Sequence, residues 1–310
     1  MPILFNPAMN DNTKGLIFAG FTALLWGFLA IALKVALYDL NPVSVVWFRF
    51  TVAFILLFIL LLVFDKNLSQ AFRKPPPKIF IAAAFLGMNY LGFITGVKYT
   101  SPSNAQVFIQ IGPVSLAFAG LFIFREKLTW KHSVGFVLLL VGFWLFYSEQ
   151  TGGLSGKTEG YTRGIVSVVL GGLSWAVFSV IQKTLVQKWN PNHLNLMVYG
   201  FCSLMFLPFV EFDKFPGLSF ADWLLMIFLG LNTLLAYGSL ALALKYTEAN
   251  KISVIITLNP IITFIVMAIL GHMAVTWIAP EHFTLLSIVG AGIVFTGASI
   301  VVVSRRKKTS

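Results

Sequence analysis

The chain has 310 residues, of which 58% are hydrophobic and only 11% are charged. A soluble domain carries about 25% charged residues, so the composition excludes an ordinary soluble protein and indicates a lipid bilayer as the surrounding solvent. The net charge of +11 does not indicate a nucleic-acid partner here, because Lys and Arg fall in the connecting segments, where they set membrane topology.

Ten apolar runs predict ten transmembrane helices, since about 20 mostly apolar residues cross the hydrocarbon core. The runs are continuous and not alternating in polarity, which disfavours a β-barrel. The predicted fold class is therefore an all-α integral membrane protein, and the even number of spans places both termini on one side. The runs cover residues 15–37, 43–64, 78–98, 103–124, 131–147, 162–186, 193–210, 219–244, 251–271 and 284–303.

The positive charges predict the orientation of these helices. With both termini in the cytoplasm, 16 Lys and Arg residues lie on the cytoplasmic side and 5 on the other. An excess of this kind marks cytoplasmic segments. The single cysteine, Cys202, excludes an intramolecular disulfide and a thiolate metal cluster, and no metal or other cofactor is expected.

The second half of the chain repeats the first. Six positions recur after 149 residues: Gly15, Leu24, Trp26, Lys34, Asn41 and Pro42 return as Gly164, Leu173, Trp175, Lys183, Asn190 and Pro191. Three further blocks recur with slightly different offsets, including Phe85–Asn89 as Phe228–Asn232. Each half therefore holds five predicted helices. Because five is odd, the second half enters the membrane in the opposite sense, which is typical of transporters.

This repeat divides the chain into five segments. We predict a cytoplasmic tail at 1–14, a first five-helix repeat at 15–150, a linker at 151–161, a second repeat at 162–304 and a basic cytoplasmic tail at 305–310. Two inverted halves can exchange conformations and so turn an inward-open cavity into an outward-open one. The alternative is that duplication only built a stable bundle.

Two stretches of sequence resemble a known family. They are SPSNAQVFIQIGPVSLAFAGLFIFREKLT (101–129) and ALKYTEANKISVIITLNPIITFIV (241–266). Together with the Trp in the first helix of each half, they resemble the EamA-like family of the drug/metabolite transporter superfamily. The resemblance implies ten helices, cytoplasmic termini and a central cavity formed by the first, third and fourth helices of each half. It also implies transport of amino acids or other metabolites, most often as export.

Two repeated pairs of side chains are candidates for substrate binding. Trp26 and Trp175 fall near mid-membrane, where an indole N–H needs a partner or a polar cavity; the alternative is packing between the halves. Asn89 and Asn232 are also mid-helix, and a buried unpaired amide costs on the order of 2–7 kcal/mol. Each therefore faces a cavity or bonds a neighbouring helix.

A polar stripe on the fourth predicted helix gives further candidates. Gln106, Gln110 and Pro113 share one face, and Thr257 and Pro260 occupy matching positions of the ninth helix. Such a stripe should face away from lipid, and each Pro frees a carbonyl and bends its helix.

Tyr90 and Tyr237 are additional candidate cavity rings, although a structural role is favoured for single aromatics. The cations near or within the membrane are interpreted as structural: Lys34 and Lys183 as side chains that reach the interface, and Arg49 as a partner for a negative helix end.

The middle of every predicted helix lacks Asp and Glu. A proton relay normally uses an intramembrane carboxylate or His, so we expect a neutral, aromatic and amide-lined site and transport without obligatory proton drive. Membrane enzymes are disfavoured because no catalytic motif is present, and a channel would need a continuous polar pore. A nucleotide-sugar, sugar-phosphate or drug exchanger remains the main alternative.

The expected partners are a small-molecule substrate and the lipid bilayer, with no obligate protein partner. With no targeting segment recognised, a bacterial inner membrane is the expected location.

Overall fold

The computed structural model describes residues 10–65, 68–69, 75–123, 130–152, 158–281 and 283–303. All regular elements in these ranges are helical, and none of them is a strand. The first six helices are α1 (Asp11–Ala36), α2 (Pro42–Phe64), α3 (Lys78–Tyr99), α4 (Pro102–Phe108), α5 (Ile111–Ile123) and α6 (Trp130–Gly152). The second six are α7 (Thr158–Leu185), α8 (Pro191–Phe206), α9 (Phe220–Tyr246), α10 (Ala249–Ile256), α11 (Asn259–His272) and α12 (Leu285–Val303).

Five of these helices contain a stretch long and apolar enough to cross a membrane: α1, α2, α3, α7 and α9. Shorter apolar helices lie at Ser133–Leu145, Asn259–His272 and Leu285–Ile300. The predicted all-helical fold is confirmed for the described residues. The ten spans, the segment boundaries and the cytoplasmic termini stay predictions. Residues 1–9, 153–157 and 304–310, which include most of both predicted tails and part of the linker, lie outside the described residues.

Proline divides the fourth and ninth predicted helices. Residues 109 and 110 separate α4 from α5, and Pro113 lies in the first turn of α5. Residues 257 and 258 separate α10 from α11, and Pro260 lies in the first turn of α11. Proline cannot donate a helical hydrogen bond and its ring clashes with the preceding turn. At both places the α-helical pattern breaks and the chain tightens, since the Gln110 N–H bonds the Val107 carbonyl and the Leu258 N–H bonds the Ile255 carbonyl, three residues back.

The second helix of each half starts in the same way. The Asn41 side chain accepts a hydrogen bond from the Ser44 N–H at 2.7 Å, and Asn190 accepts one from the Asn192 N–H at 2.9 Å. Asparagine is a favoured N-cap, and the Pro that follows it in each case suits the first helical position. The α8 helix ends at Phe206, earlier than predicted, because Pro208 follows in a short 3₁₀ turn.

The two halves pack crosswise. The first helix of each half lies against the third helix of the other, since α1 packs on α9 and α7 packs on α3. The second helices, α2 and α8, pack together, and so do α6 and α12. Glycines allow close approach at the α3–α7 crossing, where the backbones of Gly92 and Gly171 meet, as small residues do between membrane helices. This exchange of partners places the first and third helices of both halves around one centre.

Candidate functional site

A cavity lies at this centre, between the two halves. Its walls come from α1, α2, α3, α7 and α9 and from the interrupted segments α4–α5 and α10–α11. The open space measures about 60 Å³, whereas small-molecule sites usually measure about 300–1,000 Å³. The cavity is therefore contracted relative to such sites, because the side chains that line it fill much of the space between the helices.

Aromatic rings from both halves fill most of the cavity. The Trp26 and Trp175 rings meet edge to face, with centroids 6.0 Å apart. The Tyr237 ring lies 5.3 Å from Trp26 and 5.5 Å from Tyr90. Edge-to-face and tilted pairs at these separations are favourable. The repeated tryptophans thus meet on the cavity wall, so the pair both packs the halves together and faces the open space.

The two repeated asparagines hold the crosswise helix pairs. Asn89 donates from Nδ2 to the Gly171 carbonyl at 3.0 Å, and Asn232 donates to the Leu25 carbonyl at 2.9 Å. Tyr237 also donates from its hydroxyl to Asn89 Oδ1 at 3.4 Å. Helix-to-helix bonding is therefore common to both asparagines, but only Asn89 also lines the cavity.

The amide side chains of the interrupted helices form a second group. Gln106 donates from Nε2 to the Trp26 carbonyl at 2.9 Å, and Gln110 donates from Nε2 to Asn259 Oδ1 at 3.3 Å. Three buried polar atoms of residues on the cavity wall have no hydrogen-bond partner within the described part of the chain: the Tyr90 hydroxyl oxygen, Gln110 Oε1 and Trp175 Nε1. Buried polar atoms are nearly always paired, so the Gln110 acceptor, the Trp175 donor and the Tyr90 hydroxyl, which can do either, could each bond a solute.

One charged side chain reaches the cavity. Arg49, on α2, is only 2% exposed. Its Nε donates to Thr233 Oγ1 at 3.1 Å, and its guanidinium lies over the Tyr90 ring, 4.3 Å from the centroid. Among the described residues, those that line the cavity include neither Asp nor Glu. Burying a cation without a counterion costs several kcal/mol, and the π-face of Tyr90 offsets part of that cost.

The lysines that recur in the repeat, unlike Arg49, bind the carbonyl groups at helix ends. Lys34 Nζ donates to the carbonyls of Val97 and Thr100 at 3.0 and 3.1 Å, at the end of α3. Lys183 Nζ donates to the carbonyls of Leu244 and Thr247 at 2.6 Å each, at the end of α9. Each lysine thus satisfies carbonyls that a helix end leaves unpaired. Neither lysine lines the cavity.

The structure brings together most of the residues predicted from the sequence. The cavity is lined by Trp26, Asn89, Tyr90, Gln106, Gln110, Pro113, Trp175 and Tyr237. Asn232, Thr257 and Pro260 do not line it. Arg49, interpreted from the sequence as structural, does line it, as do Asn259 and Phe93. A signal for Arg49 was its depth in an apolar helix, because intramembrane charges usually mark functional sites.

A helical bundle of two repeated halves around a shared, polar-edged cavity defines a membrane transporter of small solutes. The comparisons with known proteins agree with that class. A family model described as "EamA-like transporter family" matches residues 13–148 and again 162–303. The chain belongs to this family, and the expected membership of the drug/metabolite transporter superfamily is confirmed.

Curated relatives extend over nearly the whole chain. An uncharacterized transporter of Haemophilus influenzae is 33% identical over 92% of this chain and 93% of its own. The uncharacterized inner membrane transporter YhbE of Escherichia coli K12 is 32% identical over 94% of this chain and 92% of its own. One solved protein structure matches with a TM-score of 0.68, covering 96% of this chain and 99% of its own. At 18% identity, that last match shows the fold alone.

Proposed function

We propose that this protein is a secondary transporter that carries a small organic solute, an amino acid or related metabolite, by alternating access through the central cavity. The observation that carries the proposal is the contracted cavity between the halves, lined by Trp26 and Trp175 from matched positions. Ten spans, cytoplasmic termini and an inner-membrane location are part of the proposal. The direction we propose is export, which rests on the family resemblance.

The charge of the cavity favours this substrate class over the main alternative. A sugar phosphate or nucleotide sugar carries multiple negative charges and needs several cations. Arg49 supplies one, whereas Lys34 and Lys183 are bound to helix ends. The rings and amides suit a solute with an apolar part and few charges.

Coupling is proposed to be independent of protons. In the part of the chain that the structure describes, the cavity lining includes no Asp, Glu or His, the groups that usually relay protons in membranes. Collapse of the pH gradient at fixed voltage should therefore leave solute flux in place. A flux that stopped on this treatment would contradict the proposal.

The test is uptake into proteoliposomes. Purified protein would be offered a panel of radiolabelled amino acids and one nucleotide sugar, with counterflow to separate a carrier from a pore. We expect saturable uptake of at least one amino acid and its loss in the double variant Trp26→Ala/Trp175→Ala. Trp144→Ala, at a tryptophan 66% exposed on α6 and away from the cavity, is the matched control and should keep the activity.

Two outcomes would count against the proposal. Exchange of the nucleotide sugar without uptake of any amino acid would replace the substrate class. Uptake that survives in the double variant would move the site away from the tryptophans. The direction would be tested in cells by overexpression in the presence of a toxic amino-acid analogue, since an exporter protects cells and an importer sensitises them.

A further inference from the structure

Three cations near or within the membrane, Lys34, Lys183 and Arg49, divide into two groups by the symmetry of the repeat. Lys34 and Lys183 recur in the repeat, and each does the same structural work at a helix end. Arg49 has no such counterpart, because the offset of 149 residues pairs it with Val198, which is apolar and buried. A role in holding the common architecture would be needed in both halves. The asymmetry therefore points to a role for Arg49 that is not shared.

The surroundings of Arg49 leave its charge unmatched. In the described part of the chain its hydrogen-bond partner is Thr233, whose hydroxyl accepts from Nε. The N–H groups of the two Nη atoms therefore remain able to donate to a solute. Thr233 is neutral and in turn donates to the Leu229 carbonyl at 3.1 Å. The Tyr90 ring covers one face of the guanidinium. A planar guanidinium held in this way presents its free N–H edge, which fits a carboxylate with two parallel hydrogen bonds.

The rest of the wall limits what else the solute carries. Trp26, Trp175 and Tyr237 supply an aromatic surface. The unpaired polar atoms on the wall are Gln110 Oε1, which accepts, Trp175 Nε1, which donates, and the Tyr90 hydroxyl, which can do either. With one cation and no carboxylate on the wall, a bound monoanion gives a neutral site. A purely cationic solute would instead add a second positive charge, and like charges in a low-dielectric site repel strongly.

We propose that Arg49 binds the carboxylate of the transported solute, and that the substrate class is small organic acids with one carboxylate and an apolar or aromatic part, α-amino acids included. This inference deepens the proposed function and rests on it. Organic cations and neutral carboxamides are correspondingly poor substrates.

The experiment compares probes that differ only at the carboxylate. Thermal stability of the purified protein in detergent would be titrated with 3-phenylpropionate against 3-phenylpropionamide, and with L-phenylalanine against L-phenylalaninamide. We expect each acid, and neither amide, to stabilise the wild-type protein. Arg49→Met should remove this preference. Arg49→Lys keeps the charge but loses the two-pronged geometry, so its affinity for the acids should fall about tenfold or more.

Lys183→Met is the matched control, because it removes a cation that does not line the cavity. It should lower the melting temperature without changing the preference for acids. If Arg49→Met does not fold, the comparison of wild type with Arg49→Lys decides.

Three results would overturn the proposal: equal stabilisation by acid and amide, an acid preference that is unchanged in the Arg49 variants, or no stabilisation of the wild type by either acid. Proteoliposome uptake of the same acids separates this failure from failure of the proposed function. Binding through Arg49 without uptake would contradict transport alone, whereas uptake that does not depend on Arg49 would contradict the carboxylate contact alone.

Discussion

At the scale of single residues, a comparison of Asn89 with Asn232 distinguishes a role in helix packing from a role in solute contact. Both bond across to a helix of the other half at about the same distance, but only Asn89 lines the cavity. Replacing either with Leu should lower stability by about 0.6–2 kcal/mol, the range measured for hydrogen bonds between membrane helices. We expect KM to change only in Asn89→Leu.

The measurement for this pair is a melting temperature together with uptake kinetics for the same preparations. Asn232→Leu serves as the control, because it removes the matched bond at a residue that does not line the cavity. An equal change of KM in both variants would mean that the asparagines act only through packing.

The repeat explains why much of the cavity could be predicted residue by residue. A polar or aromatic side chain that recurs at mid-membrane in both halves, such as Trp26, is expected to face away from lipid. The contact between the halves is the main surface that offers this. Arg49 could not be placed in this way, because its helical depth does not show which neighbours surround it. Asn259 was missed because it lies beside Pro260 at the interruption, and its orientation depends on where that helix breaks.

At the scale of helices, the crossing of α3 and α7 depends on glycine. A Cβ added at Gly92 would lie 2.5 Å from the Ser167 carbonyl oxygen and 2.9 Å from the Gly171 Cα. These are backbone atoms, so the helices would have to separate, and closely packed interiors tolerate such additions poorly. Gly92→Ala should lower the melting temperature.

Gly238 provides the control for this prediction. It lies within α9, and a Cβ added there would meet nothing within 4 Å. Gly238→Ala should therefore leave stability unchanged or raise it by about 0.5–1 kcal/mol, since Ala restricts the unfolded chain and favours helix. Similar destabilisation by both substitutions would show that the loss at Gly92 does not come from the α3–α7 crossing.

The two lysine contacts belong to the same scale. Hydrogen bonds to a charged group contribute about 1.5–3 kcal/mol each, so Lys34→Met and Lys183→Met should each lower the melting temperature. The contacts are far apart in the fold, so their effects should add in the double variant. A double variant no less stable than either single one would indicate that the two helix ends are coupled.

The sequence predicts the helices, and the observed helix ends differ from the predicted ones where a proline interrupts an apolar run. Apolar length identifies a span, and α1, α2, α3, α7 and α9 follow it closely. Length does not show where a run divides, and the fourth and ninth runs divide just before Pro113 and Pro260. The lysines were expected to reach the interface, but the unpaired carbonyls at the ends of α3 and α9 offered nearer partners.

At the scale of the whole molecule, Glu281 joins the two halves at one face. It lies between α11 and α12, and its Oε1 accepts a hydrogen bond from the Ser103 N–H at 3.2 Å, at the start of α4. Burial raises the pKa of Glu281, and the bonds from Ser103 and the charge of Lys34 only partly oppose this. The folded protein therefore binds the proton more tightly than the unfolded chain does.

The sign of the pH dependence follows from that difference. Stability should fall as pH rises from the unfolded value of about 4.5 through the higher folded pKa, since the unfolded state then holds fewer protons. Glu281→Gln mimics the protonated form and should flatten this part of the curve. Melting temperatures of both proteins across mildly acidic and neutral pH are the measurement, and parallel curves would assign the pH dependence to other groups.

The contracted cavity also limits how tightly a solute can be held. A solute larger than the present space binds only the fraction of molecules whose rings have moved apart, and its apparent Kd is weakened by that fraction, about a hundredfold if one molecule in a hundred is open. Replacing one of the cavity rings with a smaller one, for example by Trp26→Phe, would raise the fraction of molecules with an open cavity and lower the apparent Kd. Tighter binding slows release on the far side, so the bulky rings favour turnover over retention.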